Sequence, residues 1–299
     1  MADVQPHPRD QYTPAAVAAC ERALLTVVTK IGPWGERLVL IGGLVPRYLV
    51  GLPPPGVATH VGTTDLDIVV GFALSAEEAE VYRTLQSNLK DAGFAPALDP
   101  ETGSEQTFRW ERDVDGVSVC LEFFCPVGDG QPGRLLRSPG GTGSRISAVR
   151  TRGAELAARD CFSQLLTGRM LDSGAVQQDT PIRVTNLLPF LVLKAFALDE
   201  RDKAKDSYDL VWTLAGFGNG PRSAVQAMAQ SPVIRSPDVP LAIDALRRQF
   251  KTIEHRGAVN YARFQSRNLD PDEAARHRRY AHGTIDEFLR YWETMGLPG

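Results

Sequence analysis

The stretch HVGTTDLDIVVGF, residues 60–72, places Asp65 and Asp67 one residue apart at the head of an apolar run. In an extended chain, residues two apart face the same side, so both carboxylates share a face with Val69 while Leu66, Ile68 and Val70 take the other. Two carboxylates held side by side repel each other unless a cation lies between them. A hard divalent ion with oxygen ligands supplies that compensation, and Mg²⁺ typically takes few protein carboxylates together with substrate phosphates. The alternative is a strand that opens at a solvated turn with two acids of no chemical consequence.

Three further groups bear on that choice. Gly42-Gly43 follows the apolar LVLI and precedes a helical pattern. Glycines there let backbone N–H groups approach a phosphate at a helix N-terminus, although a glycine pair also serves plain chain reversal. Glu122 stands in VSVCLEFFC, where Val117, Val119, Leu121 and Phe123 alternate onto one face and leave the acid on the other. It is a candidate base for an attacking hydroxyl or a completing metal ligand; its bland reading is an edge-strand acid in water. Lys194 is alone in LLPFLVLKAFAL, and an unpaired buried ammonium is costly, so it must snorkel, meet an acid or reach a polar cavity. Asp206 and Asp209, three apart and on one helical face, are the acids within reach. The lysine then either meets a phosphate or forms a structural pair that ties two helices.

The elements that must hold these groups are legible in outline. TPAAVAACERALLTVVTKIG reads as a helix with Thr13 as cap, Pro14 in the first turn and Gly32-Pro33 at the end. ERLVLIGG is a buried strand running into the glycine pair, LVPRYLVG begins a helix, and LPPPGVATHVG is a connector to the strand DLDIVV. SAEEAEVYRTLQSNLKDAGF is an amphipathic helix between Ser75 and Gly93. TFRWERD and VSVCLEFFCPV form a strand pair turned at Asp115-Gly116. GDGQPGRLLRSPGGTGSR is too rich in Gly and Pro for regular structure, and DTPIRVTN is a late strand. From Leu187 the pattern is helical almost to the end. The expectation is two domains, residues 1–184 mixed α/β (α+β) and residues 185–299 all helical.

Composition narrows the class. A hydrophobic share of 43% with 23% charged residues is that of a globular protein, and no apolar run approaches a membrane span. MADVQPHPRDQYTP lacks the apolar core of a secretory signal, which makes the cytoplasm the expected compartment. Cys20, Cys120, Cys125 and Cys161 form no CxxC pair and read as reduced core thiols. The net charge of -3 gives no global pull on polyanions; residues 1–150 carry a balance of -5 and residues 151–299 one of +2, so a polyanion would meet the second half.

The glycine pair, then TTDLDIVV, then the strand with Glu122, then LPFLVLKAFALDERDKAKDSYDL together resemble the AbiEii-like nucleotidyltransferases. These are a branch of the polymerase-β-like nucleotidyltransferase superfamily that includes type IV and MenT-type toxins. The resemblance covers roughly residues 38–215, and the lysine helix followed by R-x-K-x-K-D-x-x-D is its more specific part. It implies a nucleotidyltransferase domain with a mixed sheet before the helical domain. It makes Gly42 and Gly43 the nucleotide-phosphate turn, Asp65 and Asp67 the metal pair, Lys194 the essential lysine and Asp209, or else Asp206, the late aspartate. Arg47 matches a basic residue after the glycine turn. The PPPG insert between the glycines and DLD departs from the pattern, and the third acid, Glu122, is variable in such enzymes.

The activity implied by the resemblance is transfer of a nucleoside monophosphate from an NTP to a hydroxyl acceptor, with Mg²⁺ or Mn²⁺ on Asp65 and Asp67 and with Lys194 and Arg201 holding the leaving pyrophosphate. The implied acceptor is the 3′ end of tRNA, the implied role a translation-blocking toxin with a cognate antitoxin partner and no membrane. LRRQFK (246–251) and RHRRY (276–280) are candidate RNA surfaces, with Tyr280 available to stack, or else ordinary solvated helix faces. A small-molecule (aminoglycoside-type) or protein adenylyltransferase, and a non-catalytic nucleotide-binding module, are the competing readings. His60 reads as structural, and Tyr208 and Trp212 as helix packing.

Overall fold

The computed structural model describes residues 9–31, 35, 37–70, 79–137, 144–266 and 270–299. The chain forms two compact units, interleaved in sequence. One comprises Pro14–Val45 and Gly62–Thr185; the other comprises the described residues up to Thr13 together with Pro46–Val61 and Asn186–Gly299.

The first unit is a mixed α/β structure built on one sheet. Its helices are α1 (Pro14–Ile31), α3 (Ala79–Asp91) and α4 (Ala154–Arg159). Its strands are β1 (Leu38–Ile41), β2 (Asp65–Val70), β3 (Ala95–Leu98), β4 (Glu105–Val114), β5 (Val117–Pro126), β6 (Leu135–Arg137), β7 (Ser147–Thr151), β8 (Cys161–Arg169) and β9 (Val176–Thr185). The order is β3-β4-β5-β2-β1-β9-β8, with β7 joining β5 and β6 joining β7. The pairings β2–β5, β1–β9 and β5–β7 are parallel and the others antiparallel. Apolar strands occupy the middle because they are covered on their faces: β1 is buried throughout, as are Leu66, Ile68, Val119, Leu121 and Phe123. The hairpin between β4 and β5 turns at Asp115 and Gly116, whose φ angles of 53° and 82° are those of the tight two-residue turn expected there.

Several expectations about elements need amendment. The Gly/Pro-rich segment after β5 does contain a strand: Leu135–Arg137 finds partners on β7, and backbone pairing outweighs unfavourable neighbours. Strands β3, β7 and β8 are additional to the five strands expected, with β7 and β8 standing before the expected late strand and β3 before the expected hairpin. Ser75 as cap and Gly32-Pro33 as terminator lie outside the described residues, while Gly93, at φ 77°, does follow α3.

The second unit is helical. It contains most of α2 (Val45–Val50), then α5 (Leu187–Glu200), α6 (Ala204–Gly216), α7 (Pro221–Met228), α8 (Asp238–Gln249), α9 (Arg256–Gln265) and α10 (Pro271–Thr294). Asn186 caps α5 by accepting from the Leu187 N–H, and α5 is apolar nearly all round because it is the buried helix of the unit. Asp270 caps α10, with Pro271 in the first turn and Asp272 and Glu273 beside it, the acids that a helix N-terminus favours. Among the described residues, no helix is long and apolar enough to cross a membrane.

Candidate active site

In the sheet unit the decisive feature is register. Asp67 on β2 lies opposite Glu122 on β5 and opposite Ile41 on β1, and Glu122 lies opposite Arg109 on β4. Directly paired residues present their side chains to the same face, so Arg109, Glu122 and Asp67 form one row across three strands. Asp65 lies opposite Cys120, which lies opposite Glu111, and this makes a second row beside the first. Both aspartates are half-buried. Arg109 links the rows: its Nε lies 3.0 Å from Cys120 Sγ and 3.3 Å from Glu111 Oε1, and its Nη1 lies 3.6 Å from Glu122 Oε1. Burial pushes the Cys120 thiol up, so it is an uncharged wall of the site. All four cysteines are free.

The glycine pair closes on this face. Gly42 and Gly43 open a short 3₁₀ turn, Gly42–Leu44, directly after β1. Gly42 has φ 76°, and a Cβ built there would collide with the Asp67 carboxylate. Glycine is therefore required twice over, for the backbone conformation and for the approach of main chain to carboxylate. Among the described residues, no three His, Cys, Asp or Glu side chains form a metal-holding group. Asp65 and Asp67 offer what Mg²⁺ needs when substrate oxygens complete the shell, hard carboxylates on one face under a backbone with no side chain in the way.

In the helical unit Lys194 is buried on α5 and donates to Asp206 Oδ1 at 2.8 Å and to Asp209 Oδ2 at 2.7 Å, both on α6. It thus meets both candidate acids, and among the described residues two of its three N–H donors are engaged. Arg201, just after α5, grips Asp206 with Nε at 2.7 Å and Nη2 at 3.1 Å. Lys205 donates to both oxygens of Asp209, at 2.7 and 2.9 Å. Burial works to raise the Asp206 carboxyl, but Lys194 and Arg201 overcome it and hold the group at about 2. Asp209 is held further below the usual carboxylate range by Lys194 and Lys205, again against burial. Burial likewise opposes the Lys194 charge, yet Asp206 and Asp209 raise the lysine above its ordinary value. Burial lowers the Lys205 ammonium from its ordinary value, whereas Lys194, Asp206 and Asp209 are all shifted towards their charged forms.

His60, from the connector before β2, donates Nε2–H to Asp209 Oδ1 at 3.0 Å. Its ring stacks on Tyr208 at 5.1 Å and meets the edge of Trp212 at 4.8 Å. Burial lowers its pKa to about 4, so it is neutral at pH 7 and donates as the Nε2–H tautomer. Tyr208 and Trp212 are buried packing residues, as expected, and each also fixes the connector: Val61 N–H donates to Tyr208 Oη and Trp212 Nε1–H donates to the Ala58 carbonyl.

The remaining expectations sort by environment. Arg47 lies on α2 with its Nε buried and, among the described residues, without a hydrogen-bond partner. Within LRRQFK, Arg247 pairs with Asp244 and Glu293, Arg248 pairs with Asp199, and Phe250 is buried. Arg278 of RHRRY pairs with Glu254, while Arg276, Arg279 and Tyr280 are exposed on α10. Sequence reasoning passes over Arg109 and Lys205. Both are accessible to it: a two-residue turn at Asp115-Gly116 pairs position 109 with 122, and Lys205 stands one helical turn before Asp209. No protein-family model matches the chain, and no curated protein matches it.

Proposed function

We propose that the protein is a metal-dependent nucleotidyltransferase that transfers a nucleoside monophosphate from an NTP to a hydroxyl acceptor and releases pyrophosphate. The observation that carries this reading is the glycine turn pressed against Asp67 on a face that also bears Asp65 and Glu122. A main chain stripped of side chains beside paired carboxylates suits a triphosphate and its counter-ion better than it suits any packing role. Asp65 and Asp67 hold Mg²⁺ or Mn²⁺, which when bound neutralises phosphate charge. Gly42 and Gly43 lend backbone N–H groups to phosphate oxygens. Glu122, whose Oε1 lies 3.6 Å from Arg109 Nη1, accepts the proton of the attacking hydroxyl.

Within the helical unit the same reading makes Lys194 a phosphate-binding lysine: its remaining N–H is a charge-assisted donor in a buried setting, where such bonds are strongest. Asp206 and Asp209 hold the ammonium, and Arg201 is the outer cation. The acceptor in this reading is the 3′ end of tRNA in the cytoplasm, which makes the protein a translation-blocking toxin paired with an antitoxin. Exposed Arg276, Arg279 and Tyr280 on α10 support an RNA acceptor, combining phosphate-binding charge with a stacking ring.

The test is incubation of the protein and Mg²⁺ with each labelled NTP in turn, with and without total tRNA, beside the Asp67→Ala variant. Label entering tRNA with wild type alone is the expected result. Equal labelling by Asp67→Ala sinks the site; labelling of an antibiotic or of a protein in place of tRNA keeps the site and replaces the acceptor.

A further inference from the structure

The Asp209 carboxylate accepts from three side chains, and they do not act alike. Lys205 bonds both oxygens, so it holds the carboxylate in place without deciding which oxygen points where. Lys194 takes only Oδ2, and His60 takes only Oδ1. Without His60, the carboxylate can turn about its Cβ–Cγ bond while Lys205 follows, and the acceptor offered to Lys194 is no longer fixed. The imidazole is a rigid donor: its ring stacks on Tyr208 at 5.1 Å and meets the Trp212 ring edge-on at 4.8 Å, contacts that an aromatic ring at either position maintains.

We infer that His60 is a positioning residue: by holding Asp209 Oδ1 it fixes Oδ2, and through it the direction in which the Lys194 ammonium presents its remaining N–H. The inference rests on the reading of Lys194 as the phosphate-binding lysine and adds to it a residue that touches neither substrate nor metal. A connector histidine then contributes to triphosphate affinity from a place where packing alone would account for its burial.

Four variants separate positioning from packing. His60→Phe keeps an aromatic ring against Tyr208 and Trp212 and removes the donor. His60→Gln gives up the ring but places an amide N–H near the Nε2 position. His60→Asn, whose amide ends where Nδ1 sits, is a second variant without reach to Asp209, should Phe not fold. Trp212→Phe removes the connector's bond at Ala58 and leaves Asp209 untouched.

Two readouts are made on each protein, with melting as the check on folding. One is the side-chain signal of Lys194 in ¹³C-lysine-labelled protein, assigned by its loss in Lys194→Met. The other is affinity for inorganic tripolyphosphate by calorimetry. The expected result is a displaced Lys194 signal and an affinity weakened by about tenfold or more in His60→Phe and His60→Asn, both largely restored in His60→Gln and unchanged in Trp212→Phe. A Lys194 signal indifferent to His60→Phe and His60→Asn, or displaced equally by Trp212→Phe, overturns the inference. If wild type does not bind tripolyphosphate while the Lys194 signal still follows His60, positioning stands and the phosphate reading of Lys194 falls.

Discussion

At the scale of single residues, Gly42 decides more than any charged group, because a glycine can be tested for necessity without changing charge. An alanine there meets two separate penalties: a left-handed backbone, costing about 1–2 kcal/mol, and collision with the Asp67 carboxylate. Gly51 separates the two. Its φ is 64°, and a Cβ built on it would meet nothing within 4 Å, so Gly51→Ala carries the backbone penalty alone. Both variants are expected to lower the melting temperature by a few degrees. Only Gly42→Ala is expected to lose transfer activity, by at least about a hundredfold, because the Asp67 carboxylate must move. Equal activity in the two variants would show that the glycine turn serves the chain path and not the chemistry.

At the scale of elements, the site depends on strand register, since a slip of one residue sends Glu122 and Arg109 to the opposite face. That register is set by the Asp115-Gly116 turn, with Asp113 accepting from the Gly116 N–H. Gly116→Val puts a β-branched residue at φ 82° and is expected to cost roughly 1–2 kcal/mol or more in urea unfolding. An unchanged midpoint would mean that the pairing on either side, not the turn, fixes the hairpin. The same reasoning explains what is legible in the sequence. The hairpin, the acidic strand and the helices from α5 onward announce themselves through alternation, turn chemistry and helical period, all of them local signals. Strands β3, β6 and β8 do not: APAL and LLR are too short to show a period, and CFSQLLTGR places its apolar residues without strict alternation. Their strand character comes from partners elsewhere in the sheet. Lys194 is legible as an anomaly, a charge in an apolar helix, although only the structure shows that both aspartates answer it.

At the scale of the whole molecule, the chain does what no local pattern announces: the connector between the glycine turn and Asp65 belongs to the helical unit, and its His60 meets Asp209, 149 positions further on. A bond of that range leaves no periodicity behind, which is why a histidine in a Pro/Gly segment reads as incidental. Burial of that histidine also governs how the protein withstands acid. His60 titrates near 4 when folded and near 6.5 when unfolded, so between those values the unfolded chain binds more protons and stability rises with pH. The stabilisation is complete above about pH 6.5 and is lost as the pH falls towards 4. Asp206 and Asp209, whose folded pKa values are depressed, extend the loss at still lower pH, as they take up protons more readily in the unfolded chain. Between pH 7 and pH 4.5 the His60 contribution amounts to roughly 2–3 kcal/mol. Urea unfolding at these two pH values should show that loss in wild type and a much smaller one in His60→Gln, which has no proton to gain. If the two proteins respond alike, the acid sensitivity lies with groups other than the histidine, and the buried imidazole is not held neutral by the helical unit.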